Sequence, residues 1–425
     1  MFRPLAMAKQ VFHYGRMRDD LRIDGERLSS RLEKLAERGA LPGGGVCRLA
    51  LSDDDRAGRD LVVGWMRALG LEVSVDAIGN VVGVRAGLEE GPPVMMGSHI
   101  DTVRTGGRYD GNLGVMAGLE VLATLHDAGL VTRRPLAVAF FTNEEGSRFQ
   151  PDMMGSLVFT GGLPLGEALA TVGIDGSTVG ENLARIGYAG PAPVGSPKVH
   201  AYVELHIEQG PVLEAEGFTI GAVEGVQGIS WTELTLTGQS NHAGTTPMRL
   251  RHDAGYVAAE IAVFARRLAK EIGGEQVATV GALSLSPNLV NVVANRVVMT
   301  VDLRNTDEER LQEAERRLFA FAEVTAAAEG VTLQRRSLAR FEPVAFTPHL
   351  VARVEGIASE LGLSVRRLPS GAGHDAQMLA RVCPACMIFV PSTRGVSHNV
   401  EEYTAPAELA AGANVLLRLV LELAA

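Results

Sequence analysis

Four short polar clusters carry residue types that can bind divalent metal ions and transfer protons. They contain His99 with Asp101, Glu144 with Glu145, His206, and His398. Each cluster follows an apolar run typical of a buried strand, and ligands of open α/β sheets bind at the carboxyl ends of strands. One histidine or one Glu-Glu pair is weak evidence, because such residues are also common outside metal sites. Four clusters in equivalent positions together predict a metal-dependent catalytic site.

A pair of divalent ions about 3.5–4 Å apart needs a carboxylate that can bridge both ions and further ligands for each. Asp110 suits the bridge, because the surrounding glycines leave the backbone free to turn its carboxylate inward. Asp101 is expected to accept the second ring N–H of His99 and so to fix its tautomer. Either Glu144 or Glu145 can ligate while the other acts as the base toward a water molecule.

The amino-acid composition limits the kinds of molecule that this protein is expected to bind. A formal net charge of -10 and a pI near 5.6 argue against a surface for nucleic acid or anionic membrane, since phosphate binding needs a basic face. Residues 1–14 contain no signal-peptide pattern and no apolar run is long enough to span a membrane, so we expect a cytoplasmic protein. Cys383 and Cys386 form a CxxC pair inside an apolar run, which favours a buried strand over a redox or zinc site.

Short apolar runs alternate with longer helical patterns, which predicts an α/β sheet with helices on its faces. A length of 425 residues exceeds what one hydrophobic core usually serves, so two domains are expected. Ser52 is a candidate cap for the helix predicted over 54–69. Other predicted elements are helices 25–38 and 113–128 and strands 80–84, 93–96 and 136–141.

The pattern changes between about residues 221 and 340. The predicted order there is strand 229–237, helix 253–270, strands 277–285 and 296–303, helix 307–329 and strand 331–338. This βαββαβ order is typical of a ferredoxin-like, split βαβ domain. Because the α/β pattern resumes afterwards, we predict a catalytic domain of residues 1–221 and 340–425 with a central mixed sheet, interrupted by a domain of residues 222–339.

A series of motifs in residues 52–404 resembles one known family. The motifs are GSHIDTVRTGGRYDGNLGV from residue 97, FFTNEEGSRF from 140, ELHIEQGPVLE from 204, GQSNHAGTTPM from 238, SGAGHDAQ from 370 and GVSHNVEEY from 395. The chain resembles the hydantoinase/carbamoylase branch of the M20 metallopeptidase-like amidohydrolases. That branch contains N-carbamoyl-L-amino-acid hydrolases, allantoate amidohydrolases and β-ureidopropionases. The resemblance implies an M20-type catalytic domain interrupted by a lid domain that forms a homodimer.

The resemblance also implies two divalent ions per subunit, with zinc favoured and manganese, cobalt or nickel as alternatives. Their ligands would be His99, Asp110 and His206 for one ion, and Asp110, Glu145 and His398 for the other. Glu144 becomes the general base. Many M20 peptidases and aminoacylases carry an acidic residue in place of His206, so this histidine favours the ureido-hydrolysing branch.

The same resemblance implies how a substrate is bound. Arg304 would bind a substrate carboxylate, because its planar guanidinium suits bidentate pairing. His242 would reach the site from the lid of the partner subunit and stabilise the oxyanion. Further substrate-binding positions are Gln209, Asn291, Gly373 and His374, the last in contact with the substrate.

The implied reaction is metal-dependent hydrolysis of the ureido C–N bond of N-carbamoyl-L-amino acids to amino acid, ammonia and carbon dioxide. Allantoate or N-carbamoyl-β-alanine is an alternative substrate, and an aminoacylase or dipeptidase of the same superfamily is a weaker alternative. Residues 371–376 match a dinucleotide-binding G-x-G-x-x-A pattern, but the next strand does not end in the acidic residue that would hold a ribose. A non-catalytic binding protein is disfavoured, because neither Glu144 nor any ligand position is lost.

Overall fold

The computed structural model describes residues 20–425, so the expectation about residues 1–14 lies outside the described part of the chain. The chain forms two compact units. The first takes the described residues up to Glu224 together with Phe346–Ala425, and the second is Gly225–Ala345. The second unit begins later than the predicted 222–339, within the strand Ile220–Val226. It also ends later, because a strand that runs to Phe341 and a short strand at Val344–Ala345 belong to it.

The strands are numbered in chain order through both units. They are β1 (Glu72–Val75), β2 (Val81–Arg85), β3 (Val94–His99), β4 (Leu136–Phe141), β5 (Ala201–Ile207), β6 (Ile220–Val226), β7 (Gly228–Thr237), β8 (Val277–Ser286), β9 (Arg296–Asn305), β10 (Thr332–Phe341), β11 (Val344–Ala345), β12 (Val365–Ser370) and β13 (Ala385–Val390). The larger sheet has the order β1-β2-β4-β3-β5-β13-β6-β11, with β12 also paired to β6. It contains parallel and antiparallel pairs, so the predicted α/β class with a mixed sheet is confirmed.

Four parallel neighbours form the centre of the larger sheet. Strand β3 pairs in parallel with β4 and with β5, and β5 pairs in parallel with β13. Every residue of these four strands is buried, in agreement with the apolar runs that predict β3, β4 and β13. Cys386 lies buried in β13, as the apolar run around the CxxC pair predicts. The carboxyl ends of the four strands therefore lie at one edge of the sheet.

The helices are also numbered through both units. They are α1 (Gly25–Ala36), α2 (Asp53–Ala68), α3 (Asn112–Asp127), α4 (Met154–Phe159), α5 (Leu165–Ala170), α6 (Val179–Ile186), α7 (Val212–Glu216), α8 (Ala254–Ile272), α9 (Glu308–Glu329), α10 (Pro348–Glu360), α11 (Asp375–Leu379) and α12 (Pro406–Leu423). Ser52 caps α2 as predicted, since its side chain accepts the backbone N–H of Asp55. No helix within residues 20–425 is both long and apolar enough to cross a bilayer.

The second unit contains a four-stranded antiparallel sheet in the order β10-β7-β9-β8. Its elements follow one another as β7-α8-β8-β9-α9-β10. Alternate residues of β9 are buried, and they pack with apolar side chains of α8 and α9 such as Ile261 and Leu318. Strand β8 lies at one edge of the sheet and is exposed along most of its length.

Candidate functional site

The carboxyl ends of the parallel strands bring the predicted metal-binding residues together. His99 is the last residue of β3, and His206 lies one residue before the end of β5. Glu144 and Glu145 follow β4, and His398 lies in the loop after β13. Parallel strands end on the same side of a sheet, so residues far apart in sequence meet at this edge.

Asp110 lies among the three histidines, in the loop before α3. One carboxylate oxygen, Oδ1, lies 3.7 Å from Nε2 of His99 and 3.2 Å from Nε2 of His206. The other oxygen, Oδ2, lies 3.2 Å from Nε2 of His398. The next residue, Gly111, has a φ of 65°, and a Cβ there would overlap the His99 ring, so this approach requires glycine. The two oxygens face different histidines, as a bridging carboxylate must.

Two groups of ligand atoms share Asp110, and within each group the atoms lie within 4.8 Å of one another. The first group is His99, Asp110 and His206, and the second is Asp110, Glu145 and His398. In the second group, Nε2 of His398 lies 3.4 Å from Oε2 of Glu145. The structure therefore brings together the two ligand sets that the family resemblance implies.

Backbone carbonyls determine the orientation of the two buried histidines. Nδ1 of His99 lies 3.0 Å from the carbonyl oxygen of Asp101, and Nδ1 of His206 lies 2.8 Å from that of Ile207. A carbonyl can only accept, so each Nδ1 carries a proton, and the neutral form of each ring has its lone pair on Nε2. Both Nε2 atoms face Asp110, so in the neutral form each ring presents there the lone pair that a metal ligand needs.

Asp101 differs from its predicted role. Its carboxylate lies 3.9 Å from Nδ1 of His99, beyond hydrogen-bond distance, because the backbone carbonyl of Asp101 takes this contact instead. The carboxylate accepts the backbone N–H groups of Glu144 and Glu145, each at 3.3 Å. Asp101 therefore positions the Glu-Glu pair after β4, and the expectation that its side chain orients His99 is corrected.

Glu144 and Glu145 point at different ligand groups. Oε2 of Glu144 lies 3.3 Å from Nε2 of His99, whereas Oε2 of Glu145 faces His398. Burial raises the pKa of Glu144 well above its ordinary value. Burial, followed by the negative charge of Asp110, raises the pKa of Glu145 to about 8. Ionising both carboxyls is therefore costly unless positive charge is supplied nearby.

The histidines stabilise the charge of Asp110. Burial opposes ionisation of this carboxyl, but contacts with His206, His398 and His99 hold its pKa well below the usual range. The contact with Asp110 in turn raises the pKa of His398 to about 9. Histidine nitrogens and carboxylate oxygens are the ligands that zinc and other divalent transition metals prefer. The donor set and its clustered carboxylates therefore fit divalent cations.

Gln209 lies beside the second ligand group. Its side-chain Nε2 donates to Oδ2 of Asp110 at 2.9 Å and lies 3.5 Å from Nε2 of His398. Its Oε1 is buried without a hydrogen-bond partner. Because buried amide oxygens normally accept a hydrogen bond, this atom is available to a polar group bound at the site.

His374 lies next to the first ligand group, and Gly373, which precedes it, lies beside Met153. The His374 ring is buried, and its centroid is 4.5 Å from that of His206. Its Nε2 lies 2.8 Å from Oγ of Ser370. Burial, followed by the positive charge of His206, holds the pKa of His374 well below its usual range. His374 is therefore a neutral ring that packs directly on a candidate metal ligand.

Glu204, His206 and His374 also form a group with ligand-like spacing. The Glu204 carboxylate, however, already accepts the hydroxyl of Ser98 at 2.6 Å and the backbone N–H of Ala376 at 2.8 Å. Glu204 and His374 therefore make buried hydrogen bonds next to His206 and help to hold it in place.

His242 and Asn291 lie in the second unit on adjoining segments. The backbone N–H groups of Gly244 and Thr245 donate to Nδ1 of His242 at 3.1 and 3.3 Å. Because Nδ1 accepts, the neutral ring carries its proton on Nε2, which becomes a hydrogen-bond donor. The backbone carbonyl of Asn291 accepts the N–H of Ala243 at 2.9 Å, and the Asn291 side chain is exposed.

Arg304 also belongs to the second unit, in β9. Its guanidinium donates to both carboxylate oxygens of Asp302 at 2.8–3.1 Å. It also lies over the ring of Trp231, 5.7 Å from the centroid. Asp302 and Trp231 therefore hold the guanidinium that the resemblance assigns to carboxylate binding.

Glu402 was not identified by the sequence analysis, although it lies in the motif that contains His398. Its buried carboxylate accepts the backbone N–H groups of Tyr109 and Asp110 at 3.0 and 3.1 Å. The available signal was a second Glu-Glu pair, residues 401–402, after a candidate ligand. That pair has no apolar strand directly before it, so strand position alone could not identify it.

Comparison with known proteins places these residues in a family. A model of the peptidase family M20/M25/M40 matches residues 95–422. The chain is 42% identical over 407 residues to an N-carbamoyl-L-amino-acid amidohydrolase of Rhizobium meliloti, covering 96% of this chain and 98% of the relative. It is 35% identical over 408 residues to a ureidoglycolate hydrolase of Arabidopsis thaliana, covering 93% of this chain and 86% of the relative.

Solved structures agree with the sequence matches. An amidase of the hydantoinase/carbamoylase family from Burkholderia multivorans is 46% identical and has a TM-score of 0.93. The alignment covers 95% of this chain and 98% of that one. The resemblance predicted from the motifs is confirmed.

Proposed function

Because the chain belongs to the peptidase family M20/M25/M40, we propose that it hydrolyses the ureido C–N bond of N-carbamoyl-L-amino acids. This proposal rests on the position of Asp110, whose two carboxylate oxygens face histidines of separate ligand groups. The relative from Rhizobium meliloti is named for this reaction and aligns over nearly its whole length. A histidine at position 206 supports the ureido-hydrolysing branch over the peptidases.

The proposed cofactor is a pair of divalent ions in each subunit. His99, Asp110 and His206 would hold one ion, and Asp110, Glu145 and His398 would hold the other. Zinc is the first choice, and manganese, cobalt or nickel suit the same nitrogen and oxygen ligands. When bound, such ions polarise a carbonyl group and lower the pKa of water.

Glu144 is the proposed general base. As a water oxygen attacks the ureido carbonyl carbon, Glu144 accepts a proton from that water. When the tetrahedral intermediate collapses, the C–N bond breaks and Glu144 returns the proton to the leaving nitrogen, which departs as ammonia. The remaining carbamic acid transfers its proton to its own nitrogen as carbon dioxide leaves, which gives the free amino acid.

The second unit supplies the proposed oxyanion donor and carboxylate-binding residue. His242 would donate its Nε2–H to the oxyanion, a contact supported by the two backbone donors at Nδ1. Arg304 would bind the substrate carboxylate, with Asp302 and Trp231 holding its guanidinium. Other proposed substrate contacts are Gln209, Asn291, Gly373 and His374.

A homodimer formed by the second unit is part of the proposal. Strand β8 lies at a sheet edge, and exposed edge strands pair readily with another chain. Large apolar side chains on β8 and the segment after it are exposed, namely Val277, Leu283, Leu285, Leu289 and Val290. A second copy of this chain would cover both the strand edge and these side chains.

We expect His242 to act across the dimer. Glu144→Gln and His242→Ala homodimers should each be nearly inactive, whereas mixing them under conditions of subunit exchange should restore part of the activity. A mixed dimer would contain one site with both Glu144 and His242 intact. The measurement is ammonia release before and after exchange, with exchange followed by native mass spectrometry. Proven exchange without recovery would contradict action in trans.

An ammonia-release screen tests the proposed substrate class. Metal-stripped protein is reloaded with zinc, manganese, cobalt or nickel. It is then given N-carbamoyl-L-amino acids, N-carbamoyl-β-alanine, allantoate and ureidoglycolate, and also N-acetyl amino acids and dipeptides, for which amino acid release is measured. We expect ammonia with N-carbamoyl-L-amino acids at the highest kcat/KM. Faster reaction with allantoate, ureidoglycolate or N-carbamoyl-β-alanine would reassign the substrate within the branch. Amino acid released from N-acetyl amino acids or dipeptides without ammonia would favour an aminoacylase or dipeptidase.

The proposed location is the cytoplasm. All three cysteines, Cys47, Cys383 and Cys386, are free thiols, which suits a reducing compartment. The acidic net charge favours a small-molecule substrate over nucleic acid or an anionic membrane surface.

A further inference from the structure

Glu402 connects the two loops that carry Asp110 and His398. Its Oε1 accepts the backbone N–H groups of Tyr109 and Asp110, at 3.0 and 3.1 Å. Its Oε2 accepts the hydroxyl of Ser397, at 3.0 Å. Ser397 directly precedes His398, so one buried carboxylate is bonded to both loops.

Two further contacts make this connection specific. Oγ of Ser397 also lies 3.4 Å from Oδ2 of Asp110, the oxygen that faces His398. Gly107 packs directly on the Glu402 side chain, and a Cβ at this position would overlap the carboxylate. The Asp110 loop can therefore approach Glu402 only because residue 107 is glycine.

We propose that Glu402 is a positioning residue that couples the two metal-ligand groups by holding the His398 loop against the bridging Asp110. This inference rests on the proposed ligand sets. Glu402 belongs to neither ligand group, so it acts through other residues rather than on an ion. Partners that orient metal ligands typically change metal affinity by about 10–100-fold when they are removed.

The effect of losing Glu402 should fall mainly on the second ion. The carbonyl of Asp110 also accepts the backbone N–H of Asn112 at 2.7 Å and its side-chain Nδ2 at 3.1 Å, so a second set of bonds holds Asp110 near His99 and His206. On the side of the His398 loop, in contrast, the 3.0 Å hydrogen bond from the Ser397 hydroxyl to Glu402 is lost with the carboxylate, and the contacts of that hydroxyl with Asp110 and Gln209 are longer, at 3.4 Å. Affinity for the ion held by Asp110, Glu145 and His398 should therefore fall more than affinity for the first ion.

The test compares Glu402→Ala, Glu402→Gln and Gly107→Ala with the neighbouring control Glu401→Ala, which removes an exposed carboxylate paired with Arg394. Each full-length protein is equilibrated with zinc at a series of buffered free concentrations. Bound zinc per subunit is counted by mass spectrometry of the metal, and thermal unfolding is recorded in parallel. A wild-type count of two ions tests the proposed centre independently of Glu402.

For Glu402→Ala and Gly107→Ala we expect about 10–100-fold weaker binding of one ion and near wild-type binding of the other. Glu402→Gln should bind nearly as wild type, because its amide oxygen can still accept the two backbone N–H groups and its amide nitrogen can donate to the Ser397 hydroxyl oxygen. Glu401→Ala should match wild type. A purely structural role would lower the unfolding temperature without separating the two affinities.

The proposed coupling would be overturned if Glu402→Ala and Gly107→Ala bound two zinc ions as tightly as wild type. It would also be overturned if these variants bound both ions more weakly to the same extent. If Glu402→Ala does not fold, Gly107→Ala decides between these outcomes. Fewer than two ions in the wild-type protein would overturn the proposed centre, and the coupling with it. Two ions in wild type with unchanged variants would overturn the coupling alone.

Discussion

Replacing Glu144 with glutamine is expected to lower kcat by about 10²–10⁴-fold, the usual contribution of a general acid–base residue, while zinc remains bound. The reason is chemical: an amide of the same shape cannot accept the proton of the attacking water. Glu144 belongs to neither ligand group, although its Oε2 lies 3.3 Å from Nε2 of His99. The expected result is thus a folded, metal-loaded protein with almost no turnover.

The measurement pairs steady-state ammonia release with zinc content for the same preparation. The matched control is Glu89→Gln, which changes an exposed carboxylate paired with Arg133 and should have wild-type activity. Wild-type turnover by Glu144→Gln would refute its assignment as the base. If Glu144→Gln loses both its zinc and its turnover, Glu144 is instead a metal ligand.

Replacing Asp110 with asparagine is expected to remove both ions and all measurable turnover. Asp110 is common to the two ligand groups, and its two oxygens face His99, His206 and His398. An uncharged amide offers one oxygen in place of two charged ones, so it cannot bridge two cations. The loss should therefore exceed that of any residue that belongs to a single group.

His99→Ala provides the comparison, because it should weaken the first ion more than the second. Asp127→Asn is the control for a general loss of negative charge, since Asp127 is exposed and paired with Arg27. Zinc per subunit is measured for all three variants after dialysis at the same free zinc concentration. If Asp110→Asn keeps two ions, Asp110 is not the bridge. If it loses only one ion, the bridge must be a different residue.

The fold was predictable from the sequence where local patterns carry the information. Continuous apolar runs predicted the buried strands β3, β4 and β13, because strands covered on both faces contain few polar residues. Ser52 was identifiable as a cap because its contact is local, three residues along the chain. The second unit's end was less predictable, since the two-residue strand β11 is too short to show a pattern.

The candidate ligands were predictable for a different reason. They follow strands, and the parallel arrangement of those strands brings their carboxyl ends to one edge. His99, Glu144 and His206 could therefore be assigned to one site from residue type and from their positions after apolar runs. The family resemblance implied Glu145 as the ligand and Glu144 as the base, a choice that the spacing left open.

The sequence by itself determined the set of chemical groups, their positions after predicted strands and the family. Only the tertiary structure decided how those groups are oriented. Asp101 bonds to the backbone of Glu144 and Glu145 rather than to the His99 ring, and Glu402 reaches the Asp110 loop across 292 positions of sequence. The physical reason is that hydrogen bonds between loops depend on where distant segments come to lie, whereas residue patterns record only which face of a local element is buried.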